Sequence, residues 1–134
     1  MRKADNELLT RVGPGTAMGA LLRRYWIPVV QSPQLEAGGR LKGVMLLGER
    51  LVAFRAGTGT PGLVGEYCPH RLASLYFGRV EEEGIRCVYH GWAFGLDGRC
   101  TDMPSQEKQF CASIRHTASP RPPTTARRGP CSPP

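Results

Sequence analysis

A chain of 134 residues, 40% hydrophobic and 22% charged, supports about one domain around a single modest core and excludes two full-sized domains. The net charge of +7 raises nucleic acid as a partner. Yet the excess sits in residues 107–134, where Lys108, Arg115, Arg121, Arg127 and Arg128 stand against Glu107 alone, with no aromatic residue among the arginines to stack on a base. Five cysteines, an odd number, imply no disulfide framework and fit a reducing compartment. Residues 1–6 lack the apolar core of a leader, and no apolar run approaches about eighteen residues. The expectation is a soluble, cytoplasmic protein that binds neither nucleic acid nor membrane.

Along the chain, Gly13-Pro14-Gly15 is a turn signal and Thr16 a good helix N-cap, after which Met18, Leu21, Leu22 and Tyr25 recur at helical spacing. That predicts one short amphipathic helix laid on the core, ended by Pro28, which disfavours helical geometry at Ile27. Beyond Pro28 the pattern turns extended. Val29-Val30 and residues 44–47, 51–54 and 63–67 read as strands, separated by Gly38-Gly39, Gly48-Glu49-Arg50 and the Gly/Thr-rich stretch 57–62. Residues 92–94 and 99–101 flank Leu96-Asp97-Gly98, and Asp-Gly between extended runs signals a hairpin. The fold class is mainly β, built of antiparallel sheets with one short N-terminal helix.

Between these strands lie Cys68-Pro69-His70 and Cys87-Val88-Tyr89-His90-Gly91-Trp92. Two Cys and two His make a full ligand set for tetrahedral zinc, or for a [2Fe-2S] cluster with two thiolates on one iron and two imidazoles on the other. Zinc fingers of the two-Cys, two-His kind keep like ligands together. Here each segment brings one of each, so each loop can give a thiolate to one iron and an imidazole to the other. Loops held by a rigid scaffold can converge such side chains from distant sequence. His116 has no ligand-spaced neighbour and reads as an exposed surface residue, and Glu81-Glu82-Glu83 reads as a solvated turn.

C-P-H-R followed by C-x-Y-H-G-W resembles the cluster motif of the Rieske non-haem iron oxygenases. Arg11-Val12-Gly13-Pro14-Gly15-Thr16, Met18-Gly19 and Arg24-Tyr25-Trp26-Ile27-Pro28 resemble the N-terminal signature of the phthalate dioxygenase-like aromatic ring-hydroxylating oxygenase components. The likeness covers about residues 7–105. It implies a Rieske-type iron-sulfur fold, with Cys68 and Cys87 on a buried iron and His70 and His90 on an outer one. It also implies a reductase or ferredoxin as electron donor, for which the Glu81-Glu82-Glu83 turn is a candidate docking patch, and a homo-oligomer in the full-length form. High-potential Rieske proteins carry an extra Cys in each loop and a Ser after the second His-Gly. Trp92 stands at that last place, which implies a potential near −150 mV rather than +300 mV.

In that family electrons pass to a mononuclear Fe(II) held by two His and one carboxylate. Outside the motif this sequence has His116 alone, so an oxidoreductase activity known by resemblance requires a missing domain. A stand-alone Rieske ferredoxin, an inactive truncated fragment and a zinc-binding module are the alternatives. Between residues 119 and 134 lie Pro120, Pro122, Pro123, Pro130, Pro133 and Pro134, half of the chain's 12 prolines. Such density forbids regular ladders and predicts a disordered C-terminal tail. The expected organisation is an N-terminal helical segment at 1–28, the cluster domain at 29–106 and the tail at 107–134. A frameshift or gene cut near Ser105 is the expected origin of the tail.

Overall fold

Leu46 and Glu49 face each other across the two-residue turn Leu47-Gly48, whose φ values of 48° and 78° give the turn that matches the twist of paired antiparallel strands. This hairpin anchors the computed structural model, which describes residues 2–104 and 110–119. Strands β1 (Lys42–Leu46), β2 (Glu49–Arg55) and β3 (Pro61–Gly65) form one antiparallel sheet in that order. The turn is one residue earlier than the sequence suggests, because Leu47 takes the left-handed place and Glu49 and Arg50 enter the ladder.

A second antiparallel sheet follows in the order β4 (Arg79–Val80), β5 (Gly84–Arg86), β6 (Ala93–Gly95) and β7 (Cys100–Asp102). Its last hairpin turns at Leu96-Asp97-Gly98 as expected, with Gly98 at φ 79° and Gly95 N–H donating to the Arg99 carbonyl at 2.8 Å. The sheets are joined where Gly57 and Thr58 N–H groups donate to the carbonyls of Glu81 and Glu82, each at 3.0 Å. Val52, Phe54 and Val64 from the first sheet meet Ile85 and Phe94 from the second in one core, closed by Leu75, Trp92 and Met103. Truncating Phe54 or Phe94, both fully buried, carries a typical cost of about 3–5 kcal/mol.

The N-terminal part differs from expectation in three ways. A first helix, α1 (Lys3–Thr10), is present; it buries no residue and rests on local pairs such as Arg2–Asp5 and Glu7–Arg11. The anticipated helix, α2 (Ala17–Leu22), starts as read, with Thr16 Oγ1 accepting from Gly19 N–H at 3.1 Å. It stops earlier, because the Arg24 and Tyr25 N–H groups bond back to Leu21 and Leu22 and tighten its end. Tyr25 is consequently 67% exposed, and α2 buries only Gly19 instead of an apolar stripe. Val29-Val30 forms no strand. None of the helices is long and apolar enough to cross a membrane among the described residues.

Residues 110–119, assigned by sequence to the tail, run along both sheets. Cys100 N–H donates to Ile114, His116 N–H to Gly98, Gly65 N–H to Thr117 and Ser119 N–H to Leu63, all at 2.7–3.1 Å. His116 is therefore half-buried rather than exposed: its Nε2 donates to the Gly65 carbonyl at 2.8 Å and its ring lies 5.3 Å from that of Phe94. The proline-rich stretch from Pro120 onward lies outside the described residues.

Burial lowers the His116 pKa, and the Gly65 carbonyl opposes it more weakly. The folded chain thus resists a proton that the unfolded chain accepts near 6.5, so stability is unaffected well above that value and falls as pH drops through it toward the lower folded value. Thermal melts between about pH 7.5 and 5.5 are expected to fall more steeply for the native chain than for His116→Gln; equal slopes would exclude His116 as the cause.

Candidate metal centre

Two loops of the same backbone design carry the four donors. In the first, Cys68 N–H donates to Ala73 O at 2.9 Å while Leu72 N–H returns to Cys68 O at 2.8 Å. In the second, Cys87 N–H donates to Trp92 O at 2.8 Å and Gly91 N–H returns to Cys87 O at 3.1 Å. The residue that lets each loop close has a left-handed backbone, Leu72 at φ 56° and Gly91 at φ 74°. Each Cys thus sits at the base of its loop, 1% and 3% exposed, and each His lies toward the half-exposed tip. The first loop is pinned by Leu75 N–H on Glu66 O at 2.7 Å and by Ser74 Oγ on Glu66 Oε1 at 2.9 Å.

The donors gather as two pairs. Cys68 and Cys87 are both buried in the same core cluster, and burial above all, with Cys87 as a neighbour adding to it, pushes Cys68 up to about 11. The His70 and His90 rings are 4.6 Å apart, edge to face, and His70 stacks on Trp92 at 4.2 Å with the planes 1° from parallel. His70 lies at the edge of the molecule, but its Nδ1 is turned away from water and has no hydrogen-bond partner, as has Trp92 Nε1. Loss of hydration, then the charges of His90 and Arg71, lower the His70 pKa, favouring the neutral imidazole that a metal requires.

An unpartnered, shielded imidazole nitrogen beside two buried thiols fits a two-iron cluster. A [2Fe-2S] cluster of this kind asks for two thiolates on one iron and two imidazoles on the other, the two kinds of pair present here.

Arg86 supports the second loop and was not evident from sequence. It is 19% exposed at its side chain, and Nη1 donates to the Gly91 carbonyl at 2.6 Å and to Asp102 Oδ2 at 2.7 Å. Nε and Nη2 hold Glu81 at 2.5 and 3.0 Å. The Arg86 hydrogen bonds in turn hold the Glu81 carboxyl below its ordinary pKa. Of the expected solvated turn, Glu82 and Glu83 are exposed, while Glu81 belongs to this clamp. Its only signal in the sequence is that Arg86 adjoins Cys87.

Two closed loops on antiparallel sheets, with paired thiols below paired imidazoles, define a Rieske-type iron-sulfur domain. A family model described as Rieske [2Fe-2S] domain matches residues 25–118, and the chain belongs to this family. It is 57% identical over 113 residues to the 3-chlorobenzoate-3,4-dioxygenase oxygenase subunit of Comamonas testosteroni, covering 83% of this chain and 26% of that protein. With the phthalate 4,5-dioxygenase oxygenase subunit of Pseudomonas putida it shares 42% identity over 117 residues, 85% of this chain and 27% of the relative. Among solved structures it resembles the reduced complex between oxygenase and ferredoxin in carbazole 1,9a-dioxygenase, with a TM-score of 0.62 and 26% identity over 72% of this chain and 25% of that one. The chain spans about a quarter of the length of these curated relatives.

The loop repeat makes an asymmetric prediction. A Cβ on Gly91 would meet Pro104 Cγ at 2.9 Å in a backbone that disfavours side chains, so Gly91→Ala should cost about 2 kcal/mol. Leu72→Gly relieves a left-handed leucine but frees the unfolded chain, so its net effect should stay within about 1 kcal/mol. Urea unfolding of both variants checks the difference.

Proposed function

We propose that Cys68 and Cys87 hold one iron and His70 and His90 the other iron of a [2Fe-2S] cluster, and that the chain is the electron-transfer part of an aromatic ring-hydroxylating oxygenase of phthalate dioxygenase type. The observation that carries this reading is the shielded, unpartnered His70 Nδ1 set beside the thiol pair. Bound there, the cluster accepts and returns single electrons. The protein's own groups set the conditions. Buried Cys68 and Cys87 would give up their protons to ligate iron, the imidazoles of His70 and His90 would leave the site less negative than four thiolates, and Trp92 stacks on the His70 ring. Arg86 fixes the Gly91 carbonyl and with it the second loop.

Electrons come, in this reading, from a reductase or ferredoxin and move toward a mononuclear iron held by a domain that is not in this chain. The ferredoxin complex of the carbazole dioxygenase supports such a donor, and the names of both curated relatives support an aromatic substrate class for the whole protein. Cysteines that must stay reduced to ligate iron support a cytoplasmic setting.

Cys68→Ser and Cys87→Ser are each expected to remove the iron, the acid-labile sulfide and the visible absorption. Cys100→Ser, Cys111→Ser and Cys131→Ser should retain all three. A colourless native protein holding stoichiometric zinc, or cluster loss in any of the last three variants, would overturn the assignment.

Redox titration monitored by electron paramagnetic resonance should give a midpoint near −150 mV, the low end of the Rieske range, since no second cysteine lies in either loop. A strongly positive midpoint would contradict it.

A further inference from the structure

Two thiols outside the ligand set meet behind the second loop. Cys100 opens β7 and is buried, while Cys111 begins the single turn Cys111–Ser113 and is half-buried. The backbone sets them together. Cys100 N–H donates to Ile114 O at 3.1 Å, Ile114 N–H donates back to Cys111 O at 3.0 Å, and Arg99 pairs with Arg115 in an antiparallel bridge. Cys111 packs against the core cluster that holds Cys100, whose Sγ donates to the Asp102 carbonyl at 3.6 Å, and both cysteines are free. Core packing explains Cys100, since a buried cysteine behaves as a small apolar side chain. Cys111 packs against the same core but is only half-buried, which leaves its thiol open to a small solute.

We propose that Cys100 and Cys111 are a thiol modification site that hydrogen peroxide converts to an intramolecular disulfide, stapling residues 110–119 to β7. Cys111, the more accessible, gives up its proton and attacks a peroxide oxygen; the O–O bond breaks, the departing hydroxide takes up that proton and leaves as water, and a sulfenic acid remains. The Cys100 sulfur then attacks that sulfur, the S–O bond breaks, and a second water departs with the Cys100 proton. Two thiols and one peroxide become one disulfide and two waters. Burial, and then the Cys111 thiol, push Cys100 up to about 12, which leaves it a poor first nucleophile and gives Cys111 the opening step. The staple reaches the ligand loop through few groups: Asp102, on the same strand as Cys100, holds Arg86, which holds the Gly91 carbonyl.

The test treats the cluster-loaded protein with hydrogen peroxide, blocks remaining thiols with iodoacetamide and digests with trypsin. Cleavage after Arg99, Lys108 and Arg115 leaves Cys100 and Cys111 on separate peptides, 100–108 and 109–115. Mass spectrometry should find these two joined, two hydrogens lighter than their sum, separable by dithiothreitol and never joined in Cys111→Ser. The visible absorption of the cluster should persist throughout. Unlinked peptides, linkage of Cys111 to Cys131 or to another chain, or linkage that appears only after the cluster absorption is lost would each overturn the proposal.

Discussion

Two cysteine side chains from residues 68 and 87 have to be brought into contact in the dry interior, and the backbone closure of their loops makes this possible. In each loop the cysteine's own N–H and C=O are both consumed in closing it, so no backbone polar group is stranded where the thiol is buried. Leu72 and Gly91 supply the left-handed residue that this closure demands. The first loop tolerates leucine, which is 71% exposed; the second cannot, because Pro104 sits against Gly91. The raised pKa of Cys68 fits the same constraint. As a neutral thiol Cys68 behaves as a small apolar side chain, so its burial carries little cost.

Closure alone would leave the second loop free to swing about its stem, since β5 and β6 are only three residues each. Arg86 removes that freedom by tying the Gly91 carbonyl to carboxylates before β5 and on β7. A partly buried guanidinium with two carboxylates is poor evidence of net stability, because desolvation offsets much of the attraction. Its planar fork is instead suited to fixing orientation, as three acceptors in set directions leave one placement for the loop.

How much of this was legible follows from how local each signal is. Cys68 with His70, and Cys87 with His90, are near neighbours in sequence, so the proposed donor set needs no knowledge of the fold to be singled out. Thr16 as a cap and Asp97-Gly98 as a turn are equally local. Helix α1 escaped because it buries nothing and shows no apolar period, and β4 and β5 because two or three residues carry no alternation. Residues 110–119 look like a tail since their partners are backbone groups of β3 and of the β6–β7 hairpin, and no side-chain pattern records such pairing. The Arg86 clamp joins groups on three separate segments, and sequence adjacency to Cys87 alone cannot announce it.

The polarity of the site runs from dry to wet, and its function requires both ends. Cys68, Cys87 and Trp92 are at most 5% exposed, which keeps water from the inner side and holds the thiol pair in one arrangement. A fully enclosed centre, however, could exchange electrons only slowly, because transfer weakens steeply with the thickness of intervening protein. The half-exposed His70 and His90 bring the outer side to the surface, and the short loops that present them cannot also hide their neighbours. Leu72, Val88 and Tyr89 are 71%, 67% and 61% exposed as a result. At this tip the fold gives up apolar burial, and the backbone closures and the Arg86 clamp below it hold the loops in place without that burial.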